Sequence, residues 1–312
     1  MPLLSRNREE PRALAYHPAA GGRVPVEIGP ASERHRFFES CANPHCSSGR
    51  LKIWRTRRTP TFEDGWCCSP ACMRARVEAA LNREMSREIG LRTSAPEAHR
   101  PRLPLGLVML EQGWINAFQL RRALEAQRVT GTGRFGHWLV RQQAASEDQV
   151  TRALGLQWSS PVLHVERHDA ESMAPLLPRL FVDAFGALPL RVVGGKILYI
   201  GFEDRPDPVL ALAVERMIGL RVEGALVQGL AFRAAHTEML TARYPRVSLI
   251  EAASEPLLVT ALLRAMKRSR PVAARLVRVH DCVWMRMTLR PQVSQLPAVD
   301  SVEDVIGSIA GQ

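Results

Sequence analysis

From residue 103 onward the apolar positions fall at helical spacing. Leu120 and Leu124 stand four apart, as do Val150 and Leu154, so each pair shares a helix face. Asn116 lies three residues before Gln119, and Ser146 three before Gln149. The second matches the capping-box pattern, and a helix start is predicted at each place. Residues 186–202 change period: ALPLRVV and KILYIGF are joined by Gly194–Gly195, a link that suits a primed hairpin turn. A helix follows near 208–218 with Asp207 as its cap, then a strand at 221–227 and a helix at 229–242. A hairpin followed by a βαβ unit makes a small α/β layer. After Pro245 the pattern predicts a helix at 254–268, a hairpin turning at His280–Asp281, and a short helix within 300–310. Upstream, Ala71 to about Ile89 is a further helix candidate.

The helical part repeats itself. Residues 104–127 and 134–157, aligned at a shift of thirty, share Gly106/Gly136, Gln112/Gln142, Gln119/Gln149, Arg122/Arg152, Ala123/Ala153, Leu124/Leu154 and Gln127/Gln157. A duplicated helix–turn–helix unit is the simplest account.

Composition narrows the classes. A chain of 312 residues has room for two or three domains, and a hydrophobic fraction of 46% is enough for a buried core. The net charge of +11 is carried almost wholly by Arg, with Lys only at Lys52, Lys196 and Lys267. The basic residues gather in 50–58 (RLKIWRTRR) and in 264–290, while 160–245 is near balance. Such a charge admits nucleic acid, acidic lipid or an anionic ligand without choosing among them. No apolar run approaches the roughly 20 residues of a membrane span, and the first thirty residues contain no signal-like apolar core. Five of the six Cys lie between Cys41 and Cys72. Clustered Cys without a secretory signal read as metal ligands, so the protein is placed in the cytoplasm.

The Cys spacing is Cys41-x4-Cys46, then the basic segment, then Cys68-x3-Cys72. A structural zinc takes four thiolates in a tetrahedron, and one pair on a turn with a second at a helix start can supply them. CSPAC running into MRARVEAAL puts the second pair at a helix N-terminus, where the dipole favours thiolate. The stretch resembles treble-clef zinc fingers of the FCS type, with Cys67 at the family's aromatic position and Trp66 before it. Zn2+ is therefore the expected cofactor, held by Cys41, Cys46, Cys68 and Cys72, with Cys67 and His45 as alternates. The run RLKIWRTRR offers a phosphate-contacting surface or, more simply, a solvated loop.

The tandem unit resembles the N-terminal domain of type II secretion and type IV pilus ATPases, of the MshE type. The pattern in question is Arg-Leu-Gly-x-x-Leu-Val-x-x-Gly-x-Ile, four residues, Leu, three, Leu, two, Gln. The resemblance covers roughly 102–244, since the following segment, 160–243, also looks like that domain's α/β half, the stretch ALPLRVVGGKILYIGFEDRPDP included. In that family two such motifs bind cyclic di-GMP, with Arg, Gly and Gln contacting the ligand and leucines packing against its bases. The resemblance carries these roles onto Arg134, Gly136 and Gln157, and onto Gly106, Leu120, Leu124 and Gln127. Trp114 or Trp138 is placed to shield a base. Pro104 stands where the first motif has Arg, with Arg102 two residues earlier, and Gln143 replaces the mid-motif Gly of the second. Each departure predicts weaker binding. The alternative for the same residues is that they only build helical packing, with the glycines as turns.

The predicted fold class is α+β and multidomain. Residues 1–35 form a disordered arm, 36–90 the zinc-finger module with its trailing helix, and 91–101 a linker. Residues 102–158 form the helical tandem repeat, packed with the small α/β half at 159–244, and 245–312 a C-terminal helix and hairpin of unassigned role. The 312 residues contain no G-x-x-x-x-G-K-[ST] loop, G-x-S-x-G elbow or H-E-x-x-H helix, and Gly194-Gly195-Lys196 continues into Ile. The functional expectation is a non-enzymatic regulator or adaptor whose partners are secretion or pilus assembly components, under cyclic di-GMP control. The alternative is a zinc-containing nucleic-acid-binding protein using the basic finger and the Arg-rich C-terminal region. Oligomeric state is not set by the sequence.

Overall fold

The computed structural model describes residues 40–47, 60–93, 102–165, 168–291, 294 and 296–310. The N-terminal arm, the basic run 50–58 and most of the linker lie outside the described residues. What is described is a mixed α+β chain with ten α-helices and two sheets.

Past Cys41 and Cys46, a minimal hairpin forms from β1 (Thr61–Phe62) and β2 (Gly65–Trp66), and α1 (Pro70–Thr93) follows. The tandem repeat is α2 (Leu105–Glu111), α3 (Ala117–Thr130), α4 (Phe135–Arg141) and α5 (Glu147–Trp158). Both expected caps are complete. Asn116 accepts from the Gln119 amide at 2.9 Å while the Gln119 side chain accepts from the Asn116 amide at 2.8 Å. Ser146 and Gln149 do the same at 3.2 and 2.9 Å. The two units interlock, α2 on α5 and α3 on α4, around the fully buried Met109, Leu139, Ala123 and Ala153. Trp138 belongs to this core, and its indole N–H donates to the Thr132 carbonyl at 3.1 Å. It is therefore not placed to shield a ligand base.

The mid-motif positions explain one departure. Gly113 has φ of +66° and its counterpart Gln143 +55°, so both units turn through left-handed backbone. For a residue with a Cβ that conformation costs about 1–2 kcal/mol. The Gln143 side chain is exposed and its loss removes no packing. Gln143→Gly is expected to stabilise the protein by about 0.5–1 kcal/mol, less than the full strain because Gly also loosens the unfolded chain. A urea-denaturation midpoint that fell would contradict this.

The α/β half comprises α6 (Ala170–Met173), α7 (Arg179–Phe185), β3 (Leu188–Val193), β4 (Ile197–Phe202), α8 (Pro208–Ile218), β5 (Arg221–Leu226) and α9 (Gly229–Thr241). Its sheet runs β3-β4-β5, antiparallel then parallel, as the hairpin-plus-βαβ reading requires. Gly194 and Gly195 both take positive φ, 56° and 63°, as a primed turn demands. Asp207 caps α8 by accepting from the Val209 and Leu210 amides, each at 3.0 Å.

The last segment adds β6 (Arg246–Ala252), α10 (Glu255–Ser269), β7 (Ala273–Val279), β8 (Cys282–Thr288) and β9 (Val302–Ile309). Two expectations change here. The stretch read as a short helix is the strand β9, preceded only by a 3-10 turn at Val299–Ser301, and β6 was not foreseen. The C-terminal region is thus a sheet with one helix, not a helix and a hairpin alone. Its strand order is β2-β1-β7-β8-β9-β6.

The Cys-bearing hairpin is the edge of that same sheet. β1 pairs parallel to β7, with Thr61 N donating to Val272 O at 3.0 Å and Glu63 N to Ala274 O at 2.9 Å. Side chains alternate across the sheet as strand geometry requires. Ala274, Leu276, Met285, Met287 and Val305 face α1 and α10. Val277, Val279, Trp284 and Ile306 join the core of the α/β half. A buried carboxylate ties the layers. Glu84 of α1, 1% exposed, takes Arg216 of α8 in a two-pronged pair at 2.6 and 2.8 Å.

Candidate metal centre and ligand cleft

The four predicted ligands come together. The thiols of Cys41, Cys46, Cys68 and Cys72 all lie within 4.8 Å of one another, and no described Cys is in a disulfide. Each half of the site is placed by backbone. Ala42 N donates to Trp66 O at 2.7 Å, fastening the first pair to β2, and Cys46 N donates to Asn43 O at 3.0 Å. Cys72 sits in the first turn of α1, its amide donating to the Ser69 hydroxyl at 3.2 Å. Cys68 N donates to the Cys41 sulfur at 3.4 Å.

The separations fit a metal. Cys46 and Cys68 sulfurs stand 3.5 Å apart, and Cys68 and Cys72 3.7 Å. A tetrahedron of 2.3 Å zinc–sulfur bonds has edges of about 3.8 Å. Burial pushes the Cys41 thiol up to about 12, whereas hydrogen bonding, first from Ser69 and then Asn43, holds the Cys72 thiol below its ordinary value. Protons on these sulfurs are what a divalent cation would displace. The alternates stand outside the cluster. His45 is exposed, and Cys67 is buried with its thiol pushed up to about 11 by desolvation.

The residues assigned to a ligand divide between two hollows. Arg134, Gly136 and Gln157 line a cleft of about 630 Å3, together with Glu147, Trp158, Glu203, Asp204, Arg205 and Arg233. Gly106, Leu120 and Leu124 line a smaller groove of about 260 Å3, completed by Pro104, Leu107 and Phe135. The units are related by an internal two-fold exchange. A Cβ at Gly106 would stand 2.6 Å from Leu120 and 3.2 Å from Phe135, and one at Gly136 would stand 2.6 Å from Val150 and 3.6 Å from Leu105. Both glycines therefore permit close helix contact. The glutamines exchange too. Gln127 donates its side-chain amide to Gly133 O, and Gln157 to Leu103 O, each at 2.8 Å. Each pins the residue that precedes the other unit's motif. With Pro104 in place of Arg, the first groove is apolar, and the cationic chemistry is confined to the second cleft.

Sequence reasoning missed the cleft's far wall. Glu203, Asp204 and Arg205 lie in the turn that leaves the carboxyl end of β4, and Arg233 lies on α9. The available signal was the charged run FEDRPDP directly after a strand, since ligands of α/β sheets gather at carboxyl ends of strands. Trp158 carries two guanidiniums near its ring, Arg102 at 3.9 Å and Arg205 at 5.1 Å from the centroid.

In the Arg-rich C-terminal stretch Arg264, Lys267, Arg268, Arg270 and Arg290 are exposed, while Arg275, Arg278 and Arg286 are engaged within the fold. Arg275 bonds Asp64 at 2.9 Å, Arg278 donates to the His280 carbonyl at 2.7 Å, and Arg286 is paired with buried Asp304. Among the described residues no helix is long and apolar enough to cross a membrane.

No family model matches the sequence, and no curated protein does. Among solved structures the chain is similar to one of MshE with cdg (cyclic di-GMP), at 28% identity and a TM-score of 0.35 over 44% of this chain and 99% of that one. It is also similar to the N-terminal domain of XpsE in two crystal structures. One has 19% identity and a TM-score of 0.31 over 44% of this chain and 90% of that one. The other has 18% identity and a TM-score of 0.25 over 41% and 89%.

Proposed function

We propose that this protein is a non-enzymatic regulator or adaptor of a type II secretion or type IV pilus system, which binds cyclic di-GMP in the cleft of its second motif and holds one structural zinc. The observation that carries the reading is convergence. Arg134, Gly136 and Gln157, to which the family resemblance carries the ligand roles, line one cleft whose volume suits a dinucleotide-sized ligand. The guanidinium of Arg134 suits a phosphodiester or the edge of a guanine, and Arg102 and Arg205, set over the Trp158 ring, add cationic groups beside it. The first groove, lined by leucines and Phe135, offers apolar contact only. Four thiolates leave a metal no open coordination position, which assigns the zinc to architecture rather than catalysis.

Isothermal titration of the full chain with cyclic di-GMP is expected to show saturable binding. Arg134→Ala is expected to weaken it at least tenfold, about 1.4 kcal/mol. An absence of heat at high ligand concentration, or an Arg134→Ala variant that binds like the wild type, would sink the reading. Capture of inner-membrane secretion or pilus components by the tagged protein tests the adaptor role separately.

A further inference from the structure

Arg134 already holds an anion. Its guanidinium is ion-paired with Asp204 and lies 3.6 Å from Glu203, both from the turn after β4. Glu203 is shared with Arg233, which stands 3.7 Å from Glu147. Glu147 in turn accepts from the Leu230 amide at 3.2 Å. The alternating chain Asp204–Arg134–Glu203–Arg233–Glu147 therefore crosses the cleft. It fastens the starts of α4 and α5, which belong to the second motif, to the α/β half.

A carboxylate on a guanidinium occupies the same donors that a phosphate would take. Two such anions do not share one fork at full strength, and the acids also repel a phosphodiester approaching the cleft. The pair is nevertheless exchangeable, because the Arg134 side chain is 68% exposed and that of Asp204 34%. A fully buried pair would not yield in this way. We propose that Glu203 and Asp204 are a built-in competitor for the ligand cleft. An anionic nucleotide binds by displacing Asp204 from Arg134, and that exchange frees Arg134 from the acidic turn while Glu147 stays paired with Arg233 and bonded to the Leu230 amide. This rests on the reading of the cleft as a phosphodiester site. It makes the occupied and empty cleft two states of one guanidinium, with the acidic turn setting the concentration at which one replaces the other.

The test is titration with cyclic di-GMP at fixed ionic strength on four full-length proteins. These are the wild type, Asp204→Asn, the double variant Glu203→Gln/Asp204→Asn, and that double variant with Arg134→Ala added. The amides keep shape and remove charge at partly exposed positions, and circular dichroism verifies that each protein is folded. The double variant is expected to bind at least tenfold tighter than the wild type, with Asp204→Asn between them, and Arg134→Ala is expected to abolish the gain. Unchanged or weaker affinity in both amide variants, while the wild type binds, overturns the competitor and leaves the cleft reading intact. Tighter binding that survives Arg134→Ala also overturns it, because the gain then bypasses the guanidinium. Binding by neither the wild type nor the double variant overturns both proposals.

Discussion

Asp304→Ala is expected to lower the unfolding free energy by about 3–5 kcal/mol, the range for breaking a buried ion pair from one side. Asp304 is fully buried in β9 and Arg286 is 6% exposed in β8. The pair is two-pronged, Nε to Oδ1 and a terminal nitrogen to Oδ2, each at 2.8 Å. The Trp284 indole N–H adds a third bond to Oδ1 at 2.8 Å, and Arg286 donates onward to Leu176 O at 3.1 Å. Removing the carboxylate leaves a guanidinium without its counter-charge inside the sheet and strands the indole N–H. Domains are stable by only about 5–15 kcal/mol, so the loss is a large share. The control lies four residues away. Asp300 pairs with Arg243 at 2.9 Å, but both side chains are 68% exposed. Asp300→Ala is expected to cost under about 1 kcal/mol, because water and salt screen the pair. Urea denaturation of both variants decides the matter: equal midpoints would show that Asp304 is not a structural ion.

Removal of the metal is the second large effect expected. Chelation, or Cys68→Ser, is expected to undo the Cys41–Cys72 loop and release β1 from β7. In zinc-finger peptides the metal contributes roughly 10–16 kcal/mol of apparent binding energy, which is also folding energy. Here the finger packs on a sheet, so part of its order has a second source. Phe62, Cys72, Met73, Val77 and Leu81 share one core with Leu258, Leu262 and Met285. The expected signature is therefore local first. Amide exchange should accelerate at Thr61 and Glu63, which donate across to Val272 and Ala274, while the capped starts of α3 and α5 stay protected. Elemental analysis should find one zinc per chain in the wild type and in Cys67→Ser, and far less in Cys68→Ser. Full zinc retention by Cys68→Ser, or unchanged exchange at Thr61 after chelation, would contradict the assignment.

Much of this molecule was legible because its signals are local. A cap needs only two residues three apart, a primed turn only its two glycines, and a repeat only its period. The tandem helices, the Gly194–Gly195 hairpin, the βαβ unit and the spacing within each Cys pair follow from such short-range rules. The expected short helix within 300–310 is the strand β9, in which Asp304 is fully buried. A buried aspartate in a strand is tolerable only when an arginine reaches it, and Arg286 comes from another strand. β6 was missed because its one strand partner is β9, with each paired residue 57 positions further along the chain. The far wall of the cleft was missed for the same reason. Asp204 and Glu203 meet Arg134 only once the α/β half folds back on the repeat. The sequence by itself determined most helices and the Gly194–Gly195 hairpin, their caps and the two Cys pairs, because these depend on backbone geometry and spacing within a few residues. The tertiary structure alone decided that the Cys hairpin and the C-terminal strands form one sheet. It also decided that the residue read as a phosphate ligand is held by the protein's own carboxylates. Both are long-range pairings of charge and strand edge, for which no local pattern exists.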